Sequence, residues 1–260
     1  MLQSCGDMAA NSLESGSSKR LRSESPRLTA GEMRDLLAVE PFIMGDTRDP
    51  LRGPYETVYV FAETEDNAYS PLMKAVQLAN NGLTRSISIS ESGTGAGYPG
   101  FTRYIEDLYS YGLSRDFTEE NGKIRRVVVT GNPSTLSEAQ ALVHDIANRG
   151  GDLGVIAPPF HLVRAFMTAI TALTHSAPEA ASSKNIWAIK GTDQPPFQTA
   201  LHSQGVVSNT RIGLEYGEMD RLKRYQAQDF GGMVKPKDVI SYMKERDERV
   251  GLLEYPGGRA

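Results

Sequence analysis

The sequence predicts an α/β fold, a Rossmann-like three-layer domain built on a mostly parallel sheet of five strands. Short β-branched and apolar runs alternate with amphipathic helical patterns between residues 57 and 189. The strand patterns recur about every 25 to 40 residues, which leaves room for the helical crossover that parallel strands require. A chain of 260 residues is long enough for one such domain with additions.

The first predicted helix covers about residues 30–39. Thr29 and Glu32 have the spacing of a capping box, and Pro41 is expected to end the helix. Residues 41–55 are rich in proline, glycine and charge, which is typical of a loop. The five predicted strands follow over 57–61, 86–90, 125–130, 153–157 and 185–189.

Helical patterns separate these strands. Ser70 and Pro71 predict the cap and the first residue of the second helix, which ends at Gly82. The next three predicted helices run through Tyr104 to Gly112, from 136 to 148 and from 160 to 173. Beyond residue 190 the pattern is less regular and predicts two further helices, over 218–226 and 237–249.

The chain is predicted to contain one folded domain after a leader. Residues 1–28 are expected to be disordered, because this Ser-rich stretch has too little apolar surface to offset the entropy of the chain. Residues 29–260 are expected to form a single domain, with a core over 56–190 and a C-terminal helical extension over 191–260. The apolar stripes of the extension are too few for a core of their own.

Composition limits the function classes. A net charge of −4 and an isoelectric point near 5.7 provide no basic field for nucleic acid or an anionic membrane. The sequence contains neither a transmembrane run nor the apolar centre of a secretory signal. The single cysteine, Cys5, fits a reducing compartment. We therefore expect a cytoplasmic protein with a small-molecule partner, and homo-oligomer formation is left open.

The predicted functional site lies where the strands lead into helices. Right-handed crossovers place these turns at one edge of the sheet, where ligands bind in open α/β folds. The fourth turn carries His161 and Arg164, three residues apart and on one face of a helix start. An imidazole titrates near neutral pH, so His161 is the predicted acid or base, whereas the Arg164 guanidinium suits an anionic group. That anion is either a ligand or a protein carboxylate such as Glu63 or Glu138.

The third turn supplies a second predicted catalytic residue, Glu138. Thr135 and Glu138 fit a capping box, and capping alone would explain both residues. Asn132, Ser134 and Thr135 are predicted to contact the ligand, because hydroxyl and amide groups would stand at the edge of the sheet.

The second turn combines serines with a glycine loop. Ser90, Ser92 and Gly93 are predicted ligand contacts, since backbone N–H groups in such a loop can bind a phosphate or a carboxylate. A plain flexible turn is the alternative. The glycines also match G-x-G-x-x-G, but Pro99 lies inside the motif and the acidic residue of dinucleotide sites is missing. A nicotinamide or flavin cofactor is therefore not expected.

The first turn is acidic. It contains Glu63, Glu65, Asp66 and Asn67, which could bind a metal ion or a ribose diol, although such loops are usually only solvated. Glu63 is predicted to contact the ligand, and no metal site is predicted. The chain also lacks the nucleophile elbow of serine hydrolases and the lysine of P-loop NTPases.

Taken together, the turns resemble the YdcF-like family, which includes SanA- and ElyC-type proteins. The resemblance covers about residues 56–175, and its most specific element is the His-x-x-Arg-Ala run at 161–165. Ser92-Gly93 and the segment 132–139 match less specific parts of the family's sequence pattern. Ala62-Glu63 departs from the family's paired glycines, and a carboxylate at that position would repel a phosphate.

The resemblance implies a Rossmann-like fold and a nucleotide-type ligand, for which S-adenosylmethionine is one candidate, in the soluble, cytosolic branch of the family. It implies no particular reaction. Two functions therefore remain: an enzyme that uses the cleft at the strand ends, or a ligand-sensing and binding module without turnover. A purely structural adaptor would leave the polar strand ends unexplained.

Overall fold

The computed structural model describes residues 29–46, 53–91, 97–130, 134–146, 149–202, 207–227 and 232–252. It confirms the predicted α/β fold class. The five core strands are β1 (Thr57–Val60), β2 (Ile87–Glu91), β3 (Ile124–Val128), β4 (Asp152–Ala157) and β5 (Asn185–Lys190). The helices are α1 (Ala30–Met44), α2 (Glu65–Asn80), α3 (Phe101–Ser110), α4 (Thr135–Ile146), α5 (Pro159–Ser176), α6 (Pro178–Ala181), α7 (Arg211–Ala227) and α8 (Pro236–Arg249). The predicted disordered leader lies outside the described residues.

The core strands are all parallel, in the order β3-β2-β1-β4-β5. The chain proceeds from β1 outward to β3 and then returns, so that β4 pairs with the other side of β1. This reversal makes the carboxyl ends of β1 and β4 the topological switch point, where open α/β sheets form a crevice. The turns after these two strands carry Glu63 and His161.

Two hydrophobic clusters cover the two faces of the sheet. Alternate residues of each strand point to opposite faces, as Val58 and Tyr59 of β1 do. One cluster joins the sheet to α2 and α3, and the other joins it to α1, α4, α5, α7 and α8. The result is the three-layer arrangement that the sequence predicts.

The C-terminal extension contains a hairpin that the sequence did not predict. Strands β6 (Thr199–His202) and β7 (Val207–Thr210) pair antiparallel and lead into α7. Leu214 of α7 and Ala200 of the hairpin pack on Phe160 at the start of α5. The extension is therefore attached to the edge of the sheet that carries the predicted site.

Side chains close the outer edge of β5. The Asp46 carboxylate accepts a hydrogen bond from the Ala188 N–H at 2.8 Å, and the Tyr242 hydroxyl accepts one from the Ile186 N–H at 2.8 Å. The guanidinium of Arg246 donates to the Ile186 carbonyl, also at 2.8 Å. Unpaired edges of sheets promote association with other strands, and these contacts remove that tendency from β5.

Three predicted helix boundaries are wrong, and one of them is the start of α7, which lies at Arg211 and not at 218. Helix α1 continues past Pro41 to Met44, because Pro41 lies on the exposed side while Ile43 is fully buried and holds the last turn. Helix α2 begins at Glu65 and not at Ser70, so Pro71 lies inside it. Ser70 does not cap this helix, and its hydroxyl donates to the Thr192 carbonyl at 2.7 Å.

The capping box at the start of α1 is confirmed. The Thr29 hydroxyl accepts from the Glu32 N–H, and the Glu32 carboxylate accepts from the Thr29 N–H at 2.7 Å. Within the described ranges, no helix is both long enough and apolar enough to cross a membrane.

Candidate functional site

The site begins with a carboxylate–histidine pair at the switch point. Glu63 lies three residues beyond the end of β1, and His161 lies in the first turn of α5, directly after β4. The Oε1 atom of Glu63 is hydrogen-bonded to Nδ1 of His161, and the two side chains are only 1% and 3% exposed. Two elements that are far apart in sequence thus place these groups in contact.

Tyr104 of α3 fixes the backbone that carries Glu63. Its hydroxyl accepts from the Glu63 N–H at 2.9 Å and donates to the Glu63 carbonyl at 2.5 Å. One side chain therefore satisfies both the backbone N–H and the backbone carbonyl of Glu63, in a turn that is not part of the β-sheet. Tyr104 is a positioning residue that the sequence prediction missed.

Burial controls the protonation of the pair. It raises the pKa of the Glu63 carboxyl well above its ordinary value, and the nearby charge of Glu218 acts in the same direction. It lowers the pKa of the His161 imidazole well below its ordinary value, with a further contribution from the positive charge of Arg164. Both shifts favour neutral forms, so His161 is expected to be an unprotonated imidazole at neutral pH.

A second group of contacts converges on Glu218 of α7, and we call Glu218, Arg164, His202 and Arg221 the Glu218 cluster. Arg164 Nε donates to Glu218 Oε2. His202 Nε2 lies 2.8 Å from Glu218 Oε1, and Arg221 Nη1 donates to the same oxygen at 2.5 Å. Although burial opposes its charge, Arg164 and His202 hold the pKa of Glu218 well below its ordinary value. Glu218 is therefore a buried carboxylate anion.

The hairpin delivers His202 to this cluster. Its main chain is anchored to the start of α2: the Leu201 carbonyl accepts from Thr64 Oγ1 at 2.6 Å and from Asn67 Nδ2 at 2.7 Å. The Asp66 carboxylate accepts from the Leu201 N–H at 2.7 Å. Residues of the predicted acidic turn thus hold the hairpin in place, and only Glu63 of that turn joins the buried site.

Glu138 joins the site from the first turn of α4. Its Oε1 atom accepts from the Tyr59 hydroxyl at 3.0 Å and from the Ala62 N–H at 2.7 Å. Burial raises the pKa of Glu138 to about 7, against the lowering effect of these two donors and of the Ser90 hydroxyl. A carboxyl that titrates near neutral pH can exchange a proton under physiological conditions.

Three buried polar atoms around the carboxylate–histidine pair lack a hydrogen bond to any part of the chain that the structure describes. They are Glu63 Oε2, His161 Nε2 and His202 Nδ1. His202 Nδ1 lies 3.8 Å from Glu63 Oε2, so two of these atoms face each other across a gap too long for a hydrogen bond. Buried polar atoms are normally paired, and unpaired ones at a topological switch point indicate a place for a ligand or an ordered water.

The structure brings together six of the ten predicted site residues: Glu63, Ser90, Thr135, Glu138, His161 and Arg164. Ser92, Gly93 and Asn132 lie outside the described residues. Ser134 is exposed and does not join the others.

The predicted capping box of Thr135 and Glu138 is wrong. The cap of α4 is formed one residue earlier, where the Ser134 and Ser137 hydroxyls each accept from the other residue's N–H, at 3.1 and 2.8 Å. Thr135 is thereby free to accept from Arg164 Nη1. The expected protein partners of Arg164, Glu63 or Glu138, are also incorrect, because its guanidinium pairs with Glu218.

Within the ranges that the structure covers, no three His, Cys, Asp or Glu side chains are arranged to hold a metal ion. The chain matches no protein-family model, and a search of curated proteins finds no significant match.

Proposed function

We propose that this protein binds a small molecule at the switch point and acts on it by proton transfer, with His161 as the group that takes or gives the proton. The observation that supports this most directly is the state of the His161 ring. Its Nδ1 is held by Glu63, while its buried Nε2 has no partner in the described chain.

The pairing with Glu63 suits a general base. When Nδ1 carries the hydrogen and donates to Glu63, the lone pair of the ring lies on Nε2, the atom available to a ligand. Glu63 would then orient the ring, because its Oε1 atom can accept from Nδ1–H whether or not Oε2 carries a proton. Glu138, with its pKa of about 7, is the second group of the site suited to exchanging a proton.

The ligand class rests on the resemblance to the YdcF-like family together with the position of the site. A Rossmann-like switch point is a common place for nucleotide-type ligands, and we extend the proposal to such a ligand, with S-adenosylmethionine as one candidate. A cytoplasmic location belongs to the same proposal. The fold alone names neither the ligand nor the reaction.

A ligand-binding module without turnover is the second candidate. It is favoured by the number of site groups that also stabilise the fold, since the Arg164–Glu218 pair joins α5 to α7. Native mass spectrometry of the purified protein would identify a ligand that remains bound. Incubation of that ligand with the protein separates the candidates, because only an enzyme converts it to a product.

His161→Gln is expected to bind that ligand nearly normally and to lose at least about 100-fold in turnover, the lower range for general acid–base catalysis. The matched control is His175→Gln, an exposed position on the same helix. Ligand affinity measured by calorimetry and product formation measured by mass spectrometry check both parts. Full turnover in the His161 variant would remove this residue from the chemistry.

A further inference from the structure

We infer that the ligand carries a negatively charged oxyanion, a phosphate ester or a carboxylate, and that Arg221 binds this group. The inference rests on the proposed function, in that a ligand occupies this edge of the sheet. It assigns a ligand-binding role to a residue that lies in the C-terminal extension.

The two arginines of the Glu218 cluster differ in how many of their guanidinium nitrogens are hydrogen-bonded to the protein. Arg164 uses Nε for Glu218 and Nη1 for Thr135, and its side chain is only 5% exposed. Arg221 uses Nη1 for Glu218, and its Nε and Nη2 make no hydrogen bond within the described chain. Its side chain is 15% exposed, so part of it is open to solvent.

Glu218 does not need Arg221 for its own neutralisation. Arg164 already contacts Oε2, and His202 contacts Oε1 at 2.8 Å. A second guanidinium on the same carboxylate leaves a surplus positive charge in a largely buried place. Such a charge is costly unless an anion meets it, and a guanidinium fork matches the geometry of a carboxylate or a phosphate.

The remaining carboxyls of the site cancel this surplus only in part at neutral pH. Burial raises the pKa of both Glu63 and Glu138, which favours their uncharged forms. Glu63 is in addition hydrogen-bonded to His161, and Glu138 to Tyr59 and Ala62. The repulsion expected between Glu63 and a phosphate is weakened in the same way. The net charge of these groups therefore favours the binding of an anion.

Sulfate is a suitable probe, because its charge does not change with pH in the useful range. We expect millimolar sulfate, at constant ionic strength, to raise the melting temperature of the natural protein saturably. Arg221→Gln should weaken sulfate binding at least about tenfold, as for loss of a charged hydrogen bond. Arg221→Lys, which keeps the charge but not the fork, should bind with intermediate affinity. Lys223→Gln is the matched control, since Lys223 lies on the same helix and pairs with Glu32 instead.

Comparison of phosphate with succinate then distinguishes a tetrahedral oxyanion from a carboxylate. The inference is overturned if sulfate has no saturable effect on the natural protein, or if the Arg221 variants bind it as tightly as the control does. These outcomes are independent of turnover. Loss of sulfate binding in Arg221→Gln, together with no conversion of the co-purified ligand by the natural protein, would support the anion site and reject the enzyme.

Discussion

Arg246→Ala is expected to lower the free energy of unfolding by about 3–5 kcal/mol, as does the removal of one partner from other buried ion pairs. Arg246 is fully buried on α8. Its guanidinium donates to Asp46 at 2.7 Å and to Asp247 at 2.7 Å, and it stacks 3.7 Å from the centre of the Trp187 ring. Loss of the arginine would leave the buried Asp46 carboxylate without its cation.

The contacts of Arg246 also close the edge of β5, so the effect should exceed that of an ordinary surface pair. Asp46 both binds Arg246 and accepts from the Ala188 N–H, and the Ile186 carbonyl accepts from Arg246. Burial raises the pKa of Asp46, and the guanidinium opposes that rise. Without the cation, the carboxyl would be driven towards protonation, and its bond to the strand would weaken.

Urea unfolding followed by circular dichroism measures this change. Arg249→Ala is the matched control, because Arg249 is exposed on the same helix and contacts the Lys184 carbonyl at 3.2 Å. The Arg249 substitution should lower the free energy of unfolding by less than about 1 kcal/mol, as is usual for surface residues. Equal stabilities of the two variants would show that the Arg246 contacts do not stabilise the edge.

The core of the fold was predictable because its signals are local. Strands β1, β4 and β5 are short apolar runs, whereas β2 and β3 mix apolar with polar residues. The regular alternation of such segments with helical patterns implies parallel strands covered on both faces. The hairpin was missed for the same reason. Residues 199–202 are alternately exposed and buried, and 207–210 are mostly polar, so neither strand produces a strong apolar signal. Its position is set by contacts with α2, which are not local.

The site was predictable where residues directly follow a strand. Glu63 and His161 lie in such turns, and the sheet brings these turns together whatever the details of packing. Glu218 and Arg221 lie inside a polar helix, and the contact between Arg164 and Glu218 spans 54 positions of sequence. One clue was available: a cation in the first turns of α5 is unfavourable unless an anion is near it. The sequence could not identify which carboxylate that was.

Glu138→Gln is expected to stabilise the protein by about 3 kcal/mol above pH 8 and to have little effect near pH 4. Burial raises the pKa of Glu138 from 4.5 to about 7. A pKa that is higher by one in the folded chain than in the unfolded chain corresponds to about 1.4 kcal/mol. Between pH 4.5 and 7 the folded chain holds a proton that the unfolded chain has released. The stability contributed by Glu138 is therefore full below pH 4.5 and is lost as the pH rises through 7.

Glutamine can keep the contacts of Glu138, because its carbonyl oxygen can accept from the Tyr59 hydroxyl and the Ala62 N–H, but it carries no charge. The difference between the two proteins in urea titrations across pH therefore isolates the carboxyl. Glu215→Gln is the matched control: the pKa of Glu215 is also raised to about 7 by burial and by Glu40, outside the site. If both variants gain stability but only Glu138→Gln loses activity, the buried carboxyl is retained for function at the expense of stability. A Glu138 variant that is less stable than the natural protein at pH 8 would instead show that the carboxylate itself holds the turn after β1.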